Sequence, residues 1–394
     1  MYKMISNWLG SELSQPENSS PRKTSTSVNF QVTMWPDFPH FPVFAKDDRI
    51  QGIRLNSAMI EASEIGSKFE KRVKKATVPC WFDAKGMQMR IREVVCDHNH
   101  DHLEFILNRP VKAKTPFVVH FKAGEDAAKC VQIRNGNHFI FEGGPRYQVR
   151  SGESIHIRSP HEAIGPVFLD YEIEKLEKIK AMNFNNYYLS YVYDQRHVDE
   201  FREIIGKDAN LYLKIENQEG LKWVADKWKP QENTHLAAAR GDLYVEVDRP
   251  HEIMNACKLI IQSDPDAIVG SRMMLSVVKP PVKSVEFFQY FKNDYARDAF
   301  TDEGYDLIKQ AAENYKAMQP KCNPIPRCAD LSDLSWLYDI GYRNFLLCDE
   351  ICLNRKMLGT AVSIFDNFRS EYARDIDLKA FFKDIRHEEE NGTT

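Results

Sequence analysis

A chain of 394 residues with 43% apolar content can bury a full core, enough for one large barrel and a smaller satellite domain. Its formal net charge of −4 leaves no basic surplus, which argues against nucleic acid or an anionic membrane as the main partner. No stretch approaches the roughly 20 continuous apolar residues of a membrane span, the start Met-Tyr-Lys-Met lacks a signal-peptide core, and the eight cysteines form no Cys-x-x-Cys pair; reduced thiols in a soluble cytoplasmic protein are the expectation.

In chain order, residues 1–27 are polar, Pro- and Ser-rich and aperiodic, which reads as a disordered lead. Val28–Met34 is the first predicted strand, and the run Gly52-Ile-Arg54-Leu-Asn56 ends the second. A helix is predicted over 58–75, where Lys68, Lys71, Arg72, Lys74 and Lys75 read as a solvated face near a helix C-terminus. Strand three begins at Val78 and leads through Asp83-Ala84-Lys85-Gly86 to Arg90. From about 91 to 158 the apolar period becomes two, as in Phe117-Val-Val-His-Phe and Ile155-His-Ile-Arg, with Gly- and Asn-containing turns between; a small β domain is inserted there. Within it, Cys96-Asp-His98-Asn-His100-Asp-His102 reads either as a metal tract or as a polar hairpin turn.

Helical spacing returns at 166–182, followed by a strand at Tyr187–Tyr193 and a helix at 195–206. Residues 211–216 form a strand that ends on Lys214 and Glu216; a helix carrying Leu221, Val224 and Trp228 follows, and the next apolar run ends at Ala239-Arg240-Gly241-Asp242. A helix near 250–262 leads to a strand ending at Gly270 and Ser271. Residues 283–322 carry Phe287, Phe288, Phe291 and Leu307 at helical spacing, a helical insertion with a packing face. Phe345–Cys348 is the last strand, with Asp349 and Glu350 behind it; a helix over 357–377 and a charged tail at 381–394 close the sequence.

Parallel strands joined by a helical crossover carry their C-terminal ends to one rim. That rim gathers Lys214, Glu216 and Asp242. Two carboxylates with an open face suit a hard Mg²⁺ or Mn²⁺ that also takes substrate oxygens, and an adjacent ammonium neutralises a phosphoryl group or an enolate. A structural ion-pair cluster at strand ends is the alternative.

The segment Lys214-Ile-Glu216-Asn217-x-x-Gly220, followed by Ala239-Arg240-Gly241-Asp242-Leu-x-Val-Glu246, resembles the pyruvate kinase family, whose catalytic lysine and metal ligands lie in these two motifs. Further segments match in the family's order: Arg54-Leu-Asn56, Asp83-Ala-Lys85-Gly86 with Arg90, Ser190, Ser271, Arg327-Cys-Ala-Asp330-Leu-Ser332-Asp333 and Glu350. The chain departs from the pattern at Ala58 and Met59 (Ser and His in the family), Ala84 (Thr), Met87 and Gln88 (Pro and Glu) and Tyr193 (Arg).

The resemblance implies a TIM (β/α)8 barrel over 28–90 and 159–380, with residues 91–158 as a lid that closes over a nucleotide; the family's C-terminal domain has no counterpart, so any oligomer would form without it. It further implies that Glu216 and Asp242 hold Mg²⁺ or Mn²⁺, and that Arg54 and Lys214 bind the phosphoryl group of phosphoenolpyruvate. Ser190, Arg240, Gly241, Asp242 and Ser271 then line the substrate, and Ser271 backed by Glu350 delivers a proton to the enolate. Asn56 and Asp83 correspond to a K⁺ site that has lost its hydroxyls, and Asn56 and Arg90 to the ADP side. A metal-dependent 2-oxo acid lyase working through a pyruvate enolate, and a non-catalytic relative that binds a metabolite or protein partner, are the alternatives.

Overall fold

The structure, a computed structural model, describes residues 27–98, 102–278 and 326–372. The lead before residue 27, residues 99–101 of the Cys/His tract, the predicted insertion at 283–322, the charged tail and the end of the last predicted helix lie outside the described residues.

Three strands, β1 (Asn29–Thr33), β2 (Gly52–Asn56) and β3 (Cys80–Ala84), open the fold. The chain then leaves for an inserted domain built of β4 (Ile91–His98), β5 (His102–Leu107), β6 (Val111–Ala113), β7 (Phe117–Phe121), β8 (Asp126–Arg134), β9 (His138–Glu142), β10 (His156–Ile157) and β11 (His161–Ala163). It returns through β12 (Asn186–Leu189), β13 (Asn210–Ile215), β14 (Thr234–Ala239), β15 (Ile268–Gly270) and β16 (Asn344–Leu346). β1–β3 and β12–β16 pair in parallel and close into an eight-stranded barrel with helices between strands, a TIM-like α/β architecture.

Strand parity sorts the barrel side chains into two sets. Residues such as Phe30, Val32, Ile53, Leu55, Phe82, Leu189, Leu211, Leu213, Ile215, Leu236 and Phe345 join the main buried cluster under the helices. Burying each such side chain stabilises the fold by about 1.5–3 kcal/mol relative to leaving it exposed. Their alternates face inward, where Tyr188, Tyr212, Ala237, Ile268 and Leu346 pack as a separate interior layer beside Trp81. One step further toward the C-terminal ends, the same inward register turns polar.

The inserted domain is a six-stranded antiparallel sheet with its own core of Phe105, Phe121, Phe139 and Phe141. It is pinned to the barrel at its crossings. Buried Arg109 donates to the carbonyls of Gly86, Pro166 and Val167, which ties the outgoing and returning segments together. Arg158 donates to Val245 O at 2.6 Å, and Arg272 to Ala123 O at 2.5 Å.

The predicted helix at 58–75 is instead two short 3-10 turns, Ser57–Met59 and Ala62–Glu64, and a helix only from Ser67 to Val73. Glu64 reaches back to the Glu61 backbone N–H at 2.8 Å, and Gly66 supplies an extended N-cap, so this stretch stops and restarts rather than propagating. The last described helix spans Arg355–Asn367 and widens into a π turn at Phe368–Tyr372.

Candidate active site at the barrel mouth

The cationic half lies on β2, β3 and β13. Inward parity brings Arg54, Asp83, Lys85 and Lys214 together at the strand ends. Asp83 is fully buried and its Oδ2 takes Arg54 Nη2 at 2.5 Å, Arg54 Nε at 2.8 Å and Lys85 Nζ at 2.8 Å, with Lys214 Nζ at 3.6 Å. Ser190 bridges them: its hydroxyl donates to Asp83 Oδ1 at 3.1 Å and accepts from Lys214 Nζ at 2.8 Å. Burial alone would raise the Asp83 carboxyl, but Lys214, Lys85 and Arg54 together hold it well below its ordinary range. Lys85 moves the other way: burial and the neighbouring Lys214 and Arg54 outweigh Asp83 and lower its ammonium to about 7. Gly86 makes the turn possible, since its φ is +49° and a Cβ would stand 2.7 Å from Ser190 O.

The acidic half lies at the end of β13, on the helix Arg240–Glu246 and on the inserted domain. Glu216 and Asp242 are close enough for each to shift the other's titration. Glu216 Oε2 accepts the Tyr191 backbone N–H at 2.7 Å, while Oε1 sits 2.9 Å from Lys214 Nζ without a properly directed hydrogen bond. Burial first, then repulsion from Asp242, pushes the Glu216 carboxyl up against the pull of Lys214. Asp242 is lowered: burial opposes its charge, but His156, the bond shared with Glu216 and Lys214 favour it. Its side chain is 24% exposed, so this half opens to solvent.

Of the predicted residues, Lys214, Glu216, Asp242, Arg54, Asp83 and Ser190 converge as expected. Asn56 and Asp83 are already engaged: Asn56 caps Ala58 N–H and donates to Asp349 Oδ2 at 3.2 Å, and a monovalent cation at Asp83 would meet Arg54, Lys85 and Lys214. Arg240 braces the site from behind, holding Asp333 at 2.7 and 2.8 Å and the Ser271 carbonyl at 3.0 and 3.2 Å. Through that carbonyl it fixes Ser271, which adopts φ +67° close to Gly241; a Cβ on that glycine would stand 3.2 Å from Ser271 Cβ. Glu350 is exposed and bonds the Cys348 thiol; no contact with Ser271 occurs among the described residues. Arg90 lines a cavity of about 760 Å³ with Ser57, Ala58, Lys85, Arg92 and Lys175, its guanidinium bonded to Gln88 and Gly152.

Sequence reasoning missed Asp349, His156, Glu246 and Tyr191. Asp349 Oδ2 approaches Arg54 Nη1 at 3.7 Å, whereas the motif comparison singled out only its neighbour Glu350, as support for Ser271. His156 comes from β10 of the inserted domain and lies fully buried between Glu246 and Asp242. No sequence signal marked it, because the alternation of Ile155-His156-Ile157-Arg158 puts His156 in the polar register.

Two neighbouring carboxyls, one with an orphaned buried oxygen, are a donor set that would fit a divalent cation. A second acidic group, His235, Asp264 and Asp266, lies at the opposite end of the barrel. There Asp264 accepts the Leu236 and Asp266 backbone N–H groups, so it works as a loop brace. No described helix is long and apolar enough to cross a membrane, and the seven described cysteines are free thiols. No protein-family model matches the chain, and no curated protein matches it.

Proposed function

We propose that the chain is a divalent-metal-dependent phosphotransferase of pyruvate kinase type, acting between phosphoenolpyruvate or pyruvate and a nucleoside diphosphate. The supporting observation is the juxtaposition at one barrel mouth of Arg54, Lys85 and Lys214 around the carboxylate Asp83 with the neighbouring carboxyls Glu216 and Asp242. Arg54 and Lys214, both held in their charged forms, would face the phosphoryl group, whose transfer rests on such charge stabilisation. The resemblance of segments 214–220 and 239–246 to pyruvate kinase motifs supports the choice of substrate.

Glu216 and Asp242 would hold the Mg²⁺ or Mn²⁺, which when bound supplies Lewis-acid polarisation of substrate oxygens. Lys214, raised above the ordinary range because Asp83 and Glu216 outweigh its burial, stays charged beside the transferring group. Arg54, also raised despite burial, presents Nη1 toward Thr33 and Asp349. Ser271 would hand a proton to the enolate on this reading. The cavity of about 760 Å³ has the size for a nucleoside diphosphate, and its lining mixes Lys85, Arg90, Arg92 and Lys175 with Glu61, Asp170 and Glu172.

The runner-up, a metal-dependent lyase that needs no nucleotide, would use the same Glu216, Asp242 and Lys214; the engagement of Arg90 by Gln88 and Gly152 favours it. Purified protein with Mg²⁺ and phosphoenolpyruvate, with and without ADP, separates them when pyruvate is followed alongside loss of oxaloacetate. ADP-dependent pyruvate supports phosphotransfer, ADP-independent turnover supports the lyase, and silence in both assays removes the catalytic reading.

A further inference from the structure

We propose that Arg158 of the inserted domain is a positioning residue for Asp242: it closes the C-terminal end of the helix that carries this carboxylate, so the docking of one domain sets a side chain of the other. The proposal deepens the reading of Asp242 as part of the acidic half of the site and rests on that reading for what the carboxylate does.

The helix Arg240–Glu246 is seven residues long. Isolated helices shorter than about 12 residues are marginal in water, so the place of this one is set by what holds its two ends. The barrel holds the first end, through Arg240 on Asp333 and on the Ser271 carbonyl. At the other end a helix leaves its last carbonyls without partners inside the helix. There the Val247 N–H donates to the Leu243 carbonyl, and Arg158 Nε donates to that of Val245 at 2.6 Å. A guanidinium at a helix C-terminus also faces the negative end of the helix dipole. Arg158 is otherwise an exposed residue, placed directly after β10.

Two further contacts bring the inserted domain onto the same turn. Gly124, between β7 and β8, packs on Val245 so closely that a Cβ would stand 3.1 Å from Val245 Cγ2. His156 is fully buried, with Nδ1 at 3.0 Å from Glu246 Oε1 and Nε2 at 3.3 Å from Asp242 Oδ1. Burial opposes its charge, but the bond to Glu246 and the nearby Asp242 raise the imidazole toward its charged form, which makes this an ion pair across the domain boundary. Asp242 lies one turn before Val245 and Glu246. Its helix is therefore fastened to the barrel at one end and to the inserted domain at the other, while Lys214 and Glu216 stay with β13. A shift of the inserted domain would move Asp242 against both.

The test follows amide hydrogen exchange over the helix Arg240–Glu246 in the full chain, together with Mn²⁺ titration by calorimetry, for the wild type, Arg158→Ala and Arg158→Lys. Arg158→Ala is expected to speed exchange in this helix about tenfold, the loss of one hydrogen bond from a charged donor, while β13 and β14 keep wild-type protection. Its Mn²⁺ affinity should fall about 3–10-fold, although among the described residues Arg158 bonds neither carboxylate. Arg158→Lys keeps a cation at the helix end and should recover most of both effects. Exchange that is unchanged in Arg158→Ala, or that rises equally through the barrel strands, overturns the proposal. Faster local exchange with Mn²⁺ affinity unchanged overturns the link to Asp242. A wild type that binds no Mn²⁺ removes the reading of Asp242 as a metal ligand, and exchange in the helix then upholds or overturns the positioning by itself. Should Arg158→Ala fail to fold, Arg158→Lys decides, with slightly faster exchange confined to the helix as the supporting result and none as the contrary one.

Discussion

The two halves of the barrel mouth differ in how far their polar groups are satisfied. On the β2–β3 side Asp83 is matched internally, its oxygens taken by Arg54, Lys85 and Ser190. Across Lys214, the acidic half leaves Glu216 Oε1 and His156 Nε2 buried without hydrogen bonds. A closed network around Asp83 fixes a field in place before any ligand arrives, although Asp349 Oδ1 beside Arg54 is itself buried without a partner. The Asp83 network therefore belongs to the fold as much as to the site, and the acidic half is the less completely satisfied of the two.

Substitutions that treat the halves alike should sharpen this contrast. Asp83→Asn should have the largest effect on stability, a loss of about 3–5 kcal/mol in urea denaturation, because it leaves three buried cations facing one another. The sign with pH follows: a depressed carboxyl contributes stability above its ordinary pKa of about 4 that is lost as pH falls below it. Wild-type stability should thus drop in acid more steeply than that of Asp83→Asn. Asp242→Asn should instead cost less than Asp83→Asn, since the Asp242 side chain is 24% exposed, while on the proposed reading phosphoenolpyruvate turnover falls about 10³-fold. Equal destabilisation by the two changes would erase the distinction.

Smaller effects refine it. The Glu216 carboxyl is raised, so its proton must leave before a cation is bound; affinity for Mn²⁺ should rise between pH 6 and 8, on the order of tenfold, with proton release measured by calorimetry in buffers of different ionisation enthalpy. Affinity that does not change with pH would place the ion elsewhere. Glu350→Gln should change turnover by only about twofold, as an exposed residue away from Ser271 should. A much larger loss would restore Glu350 to the proton path.

The barrel and half of its mouth were legible because strand parity is a local property. Once Lys214 and Glu216 are two apart on a strand with Leu211, Leu213 and Ile215 facing the helices, their common direction follows. The motif comparison carried Arg54, Asp83 and Asp242 to the same rim. His156 and Asp349 were not legible in this way. His156 reaches the site from a two-residue strand of the inserted domain, 86 positions before Asp242, and its place depends on how that domain packs on the barrel. Asp349 and Glu350 are adjacent acids opening one short helix, and only its N-terminal geometry decides which of them turns toward Arg54. The helix expected at 58–75 failed for a local reason, the Glu61–Glu64 capping pair and Gly66.

The most direct measurement of the central claim, that a metal and an anion are held side by side across Lys214, is equilibrium binding of phosphoenolpyruvate by calorimetry with and without Mn²⁺. Binding at least about tenfold tighter with the metal, and loss of that gain in Asp242→Asn, is the predicted result, since the two halves then act on one ligand. Binding of equal strength with and without Mn²⁺, unchanged in Asp242→Asn, would contradict it.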